Sequence, residues 1–270
     1  QGEPRHAMRC RPQHGQRRLE GNLLRVRDRM IERGLDQTFD FTYSFRLPQS
    51  SSTLGTLKVI YLLATADIII IDDYFGLLEY FYLPEKVKLI QLWHAGVGFK
   101  SIGYSRFGKY GSPKLHNAHR RYTYAIAGSD HLVDVYAEAF GVEKSAVIAT
   151  GLPRIDTFLD AETAAAAVRG FEQAHPELSG KRIVLFAPTF RGRGIRDAYY
   201  DYDTIDFARW YDWCGDDTVV LFRMHHFVAD PPPIPPQYRD RLIDASGFGD
   251  TNNLLQVADI LITDYSSIIY

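Results

Sequence analysis

From residue 22 onward, short apolar runs of strand length alternate with stretches whose apolar residues recur every three to four positions. Leu23, Leu24, Val26, Met30 and Ile31 share one helix face, with Arg25, Arg27, Arg29 and Arg33 elsewhere. Residues 39–45 alternate as a strand, 49–52 read as a loop and 53–64 as a helix. In residues 66–73 the run Ile68-Ile69-Ile70-Ile71 is flanked by aspartates, a β-branched centre that predicts a strand buried on both faces. Strands follow at 87–93, 124–127 and 145–150, with a helix at 131–140.

The alanine-rich stretch 161–173 predicts a solvated helix that can connect two domains. A second alternating set comes after it, with strands at 183–187, 218–224, 242–244 and 259–263 and helices at 204–214 and 252–258. Residues 193–203 form a polar, tyrosine-rich loop, and the prolines of 230–236 require an irregular one. Strands alternating with helices predict an α/β fold with parallel sheets. Residues 1–20 lack apolar periodicity and read as a disordered or misassigned start. The expected organisation is a first domain over 21–160 and a second over 161–270. The second is expected to be incomplete, because the chain stops at Tyr270 just after a turn that should open a helix.

Composition narrows the classes. With 46% hydrophobic and 24% charged residues, the chain has the make-up of a globular protein with a substantial core. A net charge of −2 supplies no global field for a phosphate backbone, so no nucleic-acid partner is expected. Cys10 and Cys214 form neither a disulfide framework nor a zinc pattern, which suits a reducing compartment. The most apolar stretch, 59–71, is broken by Asp67 and too short for a bilayer of ~30 Å. No signal-peptide pattern stands at the start. A cytoplasmic location is expected. Peripheral membrane contact through the basic residues near Arg25 stays open, an ordinary surface helix being the commoner use of such a pattern.

Candidate chemistry collects at strand ends. The run Leu89-Ile90-Gln91-Leu92-Trp93-His94 stops in a histidine followed by Gly96, Gly98 and Gly103, and glycine permits close approach of a ligand. His94 is either such a functional group or the hydrogen-bonding residue of a strand-end turn. Pro188-Thr189, Arg223 with His225, and Ser266-Ser267 end three other strands, and Arg154 stands in the turn Gly151-Leu152-Pro153-Arg154. Arginine forks suit phosphate, and serines at a helix start offer hydroxyls and N–H groups to an anion. Individually, Ser-Ser also reads as an N-cap and Arg223 as a surface ion pair. Their common location favours one crevice at the carboxyl ends of parallel strands. No Walker Gly-Lys-Ser/Thr loop, no Gly-x-Gly-x-x-Gly after the first strand, no Gly-x-Ser-x-Gly and no zinc spacing occurs. Asp72-Asp73 reads as capping or ion pairing before metal binding, so neither metal nor cofactor is expected. His116, His119, His131 and His175 are expected to be exposed bystanders.

Five blocks carry a resemblance: Gln91-Leu92-Trp93-His94-Ala95-Gly96 with Lys100; Gly151-Leu152-Pro153-Arg154-Ile155-Asp156; Ala187-Pro188-Thr189-Phe190-Arg191; Arg223-Met224-His225; and Ala258-Asp259-Ile260-Leu261-Ile262-Thr263-Asp264-Tyr265-Ser266-Ser267. In this order, over residues 22–270, they resemble the CDP-glycerol glycerophosphotransferases, polymerases and primases of wall teichoic acid and related capsules. The resemblance implies two Rossmann-like domains in a glycosyltransferase-B-like fold, acceptor side first and donor side second, with the active site in the cleft. It implies a CDP-glycerol or CDP-ribitol donor, a lipid-linked or polymeric polyol-phosphate acceptor, and release of CMP. His94 is the implied general base. Arg154, Pro188, Thr189, Arg223, Met224, His225, Ser266 and Ser267 fall on donor-binding positions, His225 also stabilising phosphate charge, and Gly96, Gly98, Lys100 and Arg191 complete the substrate contacts. The chain departs from the family's usual Trp-His-Gly-Thr-Pro at Trp93-His94-Ala95-Gly96-Val97, and the family's later acidic donor contact lies beyond Tyr270. A nucleotide-sugar glycosyltransferase or epimerase of the same fold is the alternative enzyme. A non-catalytic fragment binding nucleotide or anionic polymer is the alternative of another class.

Overall fold

The structure is a computed structural model that describes residues 6–11, 19, 21–44, 53–95, 101–109, 112–192 and 194–269, without the side chains of 6–11 and 267. The chain divides into two compact units, Gln1–Asp156 and Thr157–Tyr270. Gly96, Gly98 and Lys100 lie outside the described residues.

The first unit carries strands β1 (His6–Arg11), β2 (Phe39–Tyr43), β3 (Ile68–Ile71), β4 (Lys88–Gln91), β5 (Tyr124–Ala127) and β6 (Val147–Ala149). They form one sheet in the order β2-β1-β3-β4-β5-β6, and every pairing is parallel. Helices α1 (Gly21–Glu32), α2 (Thr53–Ala64) and α3 (Val133–Phe140) connect them. Alternate side chains go to opposite faces of a strand. Ile69, Ile71 and Leu89 accordingly join the core against α3, while Ile70 joins Leu23, Val26 and Met30 of α1. The apolar face of α1 therefore packs on the sheet, and among the described residues no helix is long and apolar enough to cross a membrane.

The strand His6–Arg11 differs from the expectation of a disordered or misassigned start over residues 1–20, of which 1–5, 12–18 and 20 lie outside the described residues. It pairs with β2 on one side (His6↔Phe39) and β3 on the other (Met8↔Ile68). Its identity comes from backbone hydrogen bonding to two distant segments, which leaves no local apolar period to read.

In the second unit, helix α4 (Asp156–Leu159) at the boundary is followed by α5 (Ala161–Ala174), β7 (Arg182–Phe186), α6 (Phe207–Cys214), β8 (Thr218–Phe222), β9 (Leu242–Asp244), α7 (Thr251–Val257) and β10 (Ile260–Ile262). The sheet order is β10-β7-β8-β9, again all parallel. Val184, Phe186, Val220 and Phe222 pack on the α6 side; Ile183, Leu185, Val219 and Leu221 pack with Leu254 of α7. The fold is therefore α/β with parallel sheets. Strand order reverses between β1 and β3 in the first sheet and between β7 and β10 in the second, and ligands of open α/β sheets bind at the carboxyl ends beside such reversals.

Candidate active site

In the first unit, β3 and β4 end side by side, with Ile71 in register with Gln91 and Leu92 N–H donating to Ile71 O at 2.7 Å. Asp72-Asp73 leaves one strand and Trp93-His94 the other. The strand expected to run to residue 93 ends at Gln91, and Trp93 turns the chain with φ +51°. His94 Nδ1 lies 3.3 Å from the Asp72 carbonyl oxygen and 3.8 Å from Asp73 Oδ1. Both neighbours are pure acceptors, so Nδ1 carries the ring proton and the lone pair of the neutral imidazole is on Nε2. That is the arrangement of a histidine oriented by a backbone carbonyl, with a carboxylate close by, to accept a proton.

Polar side chains surround this segment. Gln91 Oε1 accepts from Trp93 N at 2.8 Å, and Asn22 Nδ2 donates to Trp93 O at 2.7 Å. The guanidinium of Arg154 donates to His94 O, and Tyr136 Oη donates to Ala95 O. Sequence grouped Arg154 with donor-binding residues; here its guanidinium holds a carbonyl of the His94 turn. Beneath Trp93, Gln91 Nε2 donates to Tyr122 Oη at 2.9 Å, and Tyr122 Oη lies 2.9 Å from His119 Nδ1. His119 is 5% exposed, which corrects its expected place among the bystanders. It stacks on Phe140 with centroids 4.9 Å apart, and burial lowers its pKa from 6.5 to about 4. A short 3-10 turn, Ala118–Arg121, brings it inward from a sequence context that looks polar.

In the second unit, Pro188, Arg223, Met224, His225 and Ser266 line one cavity of about 370 Å³ at the carboxyl ends of β7, β8 and β10. His225 Nδ1 accepts from Phe227 N at 3.2 Å. The neutral ring therefore has its N–H on Nε2 and serves as a donor, the reverse of His94. Arg223 donates through Nη1 to the carbonyls of Ala245, Ser246 and Phe248, through Nη2 to Gly249, and through Nε to Thr251 Oγ1. Its fork thus builds the cavity wall from the loop after β9, where sequence suggested a phosphate grip or a surface ion pair. Burial, and then the Arg223 charge, lower the pKa of neighbouring His226. Ser266 Oγ accepts from Ile268 N at 3.3 Å at the start of a 3-10 turn, Ser267–Ile269.

Thr189 and Arg191 meet at a residue that sequence reasoning did not single out. Asp264 accepts from Thr189 N at 3.0 Å, from Thr189 Oγ1, and from Arg191 Nη1 at 3.1 Å. Burial raises its pKa, but these hydrogen bonds and the Arg191 charge outweigh that and hold the carboxyl below its ordinary value. The Arg191 guanidinium also lies over the Tyr265 ring at 5.2 Å. The signal was available in Thr263-Asp264-Tyr265, an aspartate at a strand end two residues before Ser266.

A larger cavity, about 490 Å³, opens at the opposite, amino-terminal ends of these strands among Lys181, Arg182, Asp217 and Asp259. Its charges are of both signs and are used locally: Lys181 Nζ donates to Asp216 O and Asp259 accepts from Ile183 N. The smaller cavity is the better candidate for an anionic ligand. Among the described residues no cluster of histidine, cysteine and carboxylate groups could hold a metal ion.

Comparison with known proteins places the chain among relatives of one family. A family model described as CDP-glycerol:poly(glycerophosphate) glycerophosphotransferase matches residues 16–270. The teichoic acid poly(ribitol-phosphate) polymerase of Bacillus spizizenii is 40% identical over 257 residues, covering 93% of this chain and 41% of that protein. The ribitol-phosphate polymerase TarL of Staphylococcus aureus is 36% identical over 93% of this chain and 46% of its own length. The chain thus spans less than half the length of these two relatives. The wall teichoic acid polymerase TagF shares the fold, with a TM-score of 0.74 at 20% identity over 97% of this chain and 67% of that structure.

Proposed function

Since the chain belongs to the family of CDP-glycerol:poly(glycerophosphate) glycerophosphotransferases, we propose that the protein carrying it transfers a polyol phosphate from a CDP-polyol to a hydroxyl of a teichoic-acid-type polymer, releasing CMP. The finer fold reading is a glycosyltransferase-B-like pair of Rossmann-like domains, the first serving the acceptor and the second the donor. Two parallel α/β sheets support it. Ribitol phosphate is the favoured group, because the relatives at 36–40% identity are named ribitol-phosphate polymerases. The site of action is the cytoplasm, at the inner face of the membrane that carries a lipid-linked acceptor.

The observation that carries the mechanism is the opposite kind of partner at Nδ1 of two histidines, a carbonyl acceptor for His94 and a backbone N–H donor for His225. His94, with its Nδ1 proton toward Asp72 O and Asp73, accepts the acceptor hydroxyl's proton at Nε2 as oxygen attacks phosphorus. A base so oriented is worth ~10²–10⁴-fold. The new P–O bond forms while the bond to CMP breaks, the electron pair leaving with the CMP phosphate. His225, a donor at Nε2, stabilises charge on the phosphate oxygens. Pro188, Met224 and Ser266 line the donor's seat, Arg223 shapes it and adds positive charge, Thr189 and Arg191 are ordered by Asp264, and Ser267 is assigned to the donor as a further contact. Gly96, Gly98 and Lys100 are proposed as further substrate contacts.

The test is mass spectrometry of products from CDP-ribitol and CDP-glycerol with a lipid-linked acceptor and the full-length protein that carries this chain. CMP and an extended acceptor are expected, with ~10²–10⁴-fold loss in His94→Ala at unchanged circular dichroism. A full-length protein that leaves every CDP-polyol intact overturns the reading.

A further inference from the structure

We infer that Asn22, on the first turn of α1, is a positioning residue for His94. The inference rests on the reading of His94 as the base. Trp93 is, among the described residues, the one residue other than glycine with a positive φ, +51°. A bulky side chain in that region costs about 1–3 kcal/mol and persists only where the surroundings over-determine it. What the unusual turn accomplishes is local: it swings the next residue so that its imidazole faces Asp72 and Asp73.

Asn22 is the junction of the groups that hold this turn. The residue is 2% exposed. Nδ2 donates to Trp93 O at 2.7 Å, and Oδ1 accepts from Arg154 N at 3.0 Å. The Arg154 guanidinium in turn donates to the next carbonyl, His94 O. One buried amide therefore fixes the peptide plane before His94 directly and the plane after it through Arg154. Removing it leaves Trp93 O and Arg154 N buried without this partner and loosens both planes at once. A misplacement of about 1 Å at a reacting group costs on the order of 10²-fold in rate. Asn22 touches no substrate in this account, so its removal should lower kcat while leaving donor affinity in place.

A double-mutant cycle in the full-length protein reads this directly. Asn22→Ala is expected to lower kcat ~10–100-fold with the donor KM changed less than about threefold. In the His94→Ala background, the same substitution should cause no further loss, because its effect runs through the residue already removed. Asn22→Asp, of the same shape and still able to accept from Arg154 N, loses the donor to Trp93 O; it should behave likewise and carries the test where Asn22→Ala folds poorly. Losses that multiply in the double variant, or a KM that rises with kcat unchanged, overturn the inference. Full activity of His94→Ala alone instead overturns the assignment of the base, so the two failures are told apart.

Discussion

Replacing His119 with phenylalanine should change how stability depends on pH. Tyr122 Oη accepts from Gln91 Nε2 and so turns its own proton toward His119 Nδ1, which must be unprotonated to receive it. Charging the ring removes that acceptor and creates a cation among Trp93, Phe140 and Tyr74. Burial accordingly lowers the pKa from 6.5 to about 4. The folded value lies below the unfolded one, so the unfolded chain binds the proton more readily. The stability contributed by neutral His119 is complete above about pH 6.5 and is lost as pH falls toward 4. Between pH 7 and pH 4.5 these two values imply a loss of about 2 kcal/mol from this group alone. Phenylalanine keeps the aromatic packing but leaves the Tyr122 hydroxyl without its acceptor, a pH-independent cost of about 1–3 kcal/mol. His119→Phe should therefore be less stable than the parent at pH 7, and the gap should shrink by about 2 kcal/mol at pH 4.5. Urea unfolding followed by hydrogen exchange in peptides spanning 118–140 reads the first unit, and comparing parent with variant cancels the other titrating groups. A difference that stays constant from pH 7 to 4.5 refutes the reasoning.

Arg223→Lys should raise the donor KM ~10-fold and lower the second unit's urea stability by about 1–3 kcal/mol, because one ammonium cannot span the carbonyls of the 245–249 loop; unchanged KM and urea midpoint contradict this. Gly103→Ala should lower the thermal midpoint of the first unit by several degrees, at a cost of roughly 2 kcal/mol or more. Gly103 has φ +47° and an added Cβ would meet Ala139 O at 2.0 Å, a backbone atom that cannot swing aside; calorimetry giving an unchanged midpoint counts against it.

Much of the fold was legible because parallel α/β strands are buried runs whose local pattern is strong. The helix expected at 53–64 is Thr53–Ala64 and the strand expected at 124–127 is Tyr124–Ala127. Strand ends were less legible: the apolar pattern of β4 continues through Leu92 and Trp93, while the extended backbone stops at Gln91. The shared location of Pro188, Arg223, Met224, His225 and Ser266 was legible as well, since they follow strands that end at one edge, and they line one cavity.

By itself the sequence determined the alternation of elements, the parallel α/β class, the family, and the residues gathered at the carboxyl ends of the strands. All of these depend on short-range periodicity and on the order of local motifs. Only the tertiary structure decided that His6–Arg11 is a paired strand, that His119 is buried, and that Asp264 orders Thr189 and Arg191. The proton positions on the two candidate histidines belong with these. His94 Nδ1 meets a carbonyl and a carboxylate from a strand more than twenty residues away in sequence, whereas His225 Nδ1 meets a backbone N–H of its own turn. Which nitrogen carries the proton is set by the partner across the hydrogen bond, and that partner is supplied by the fold.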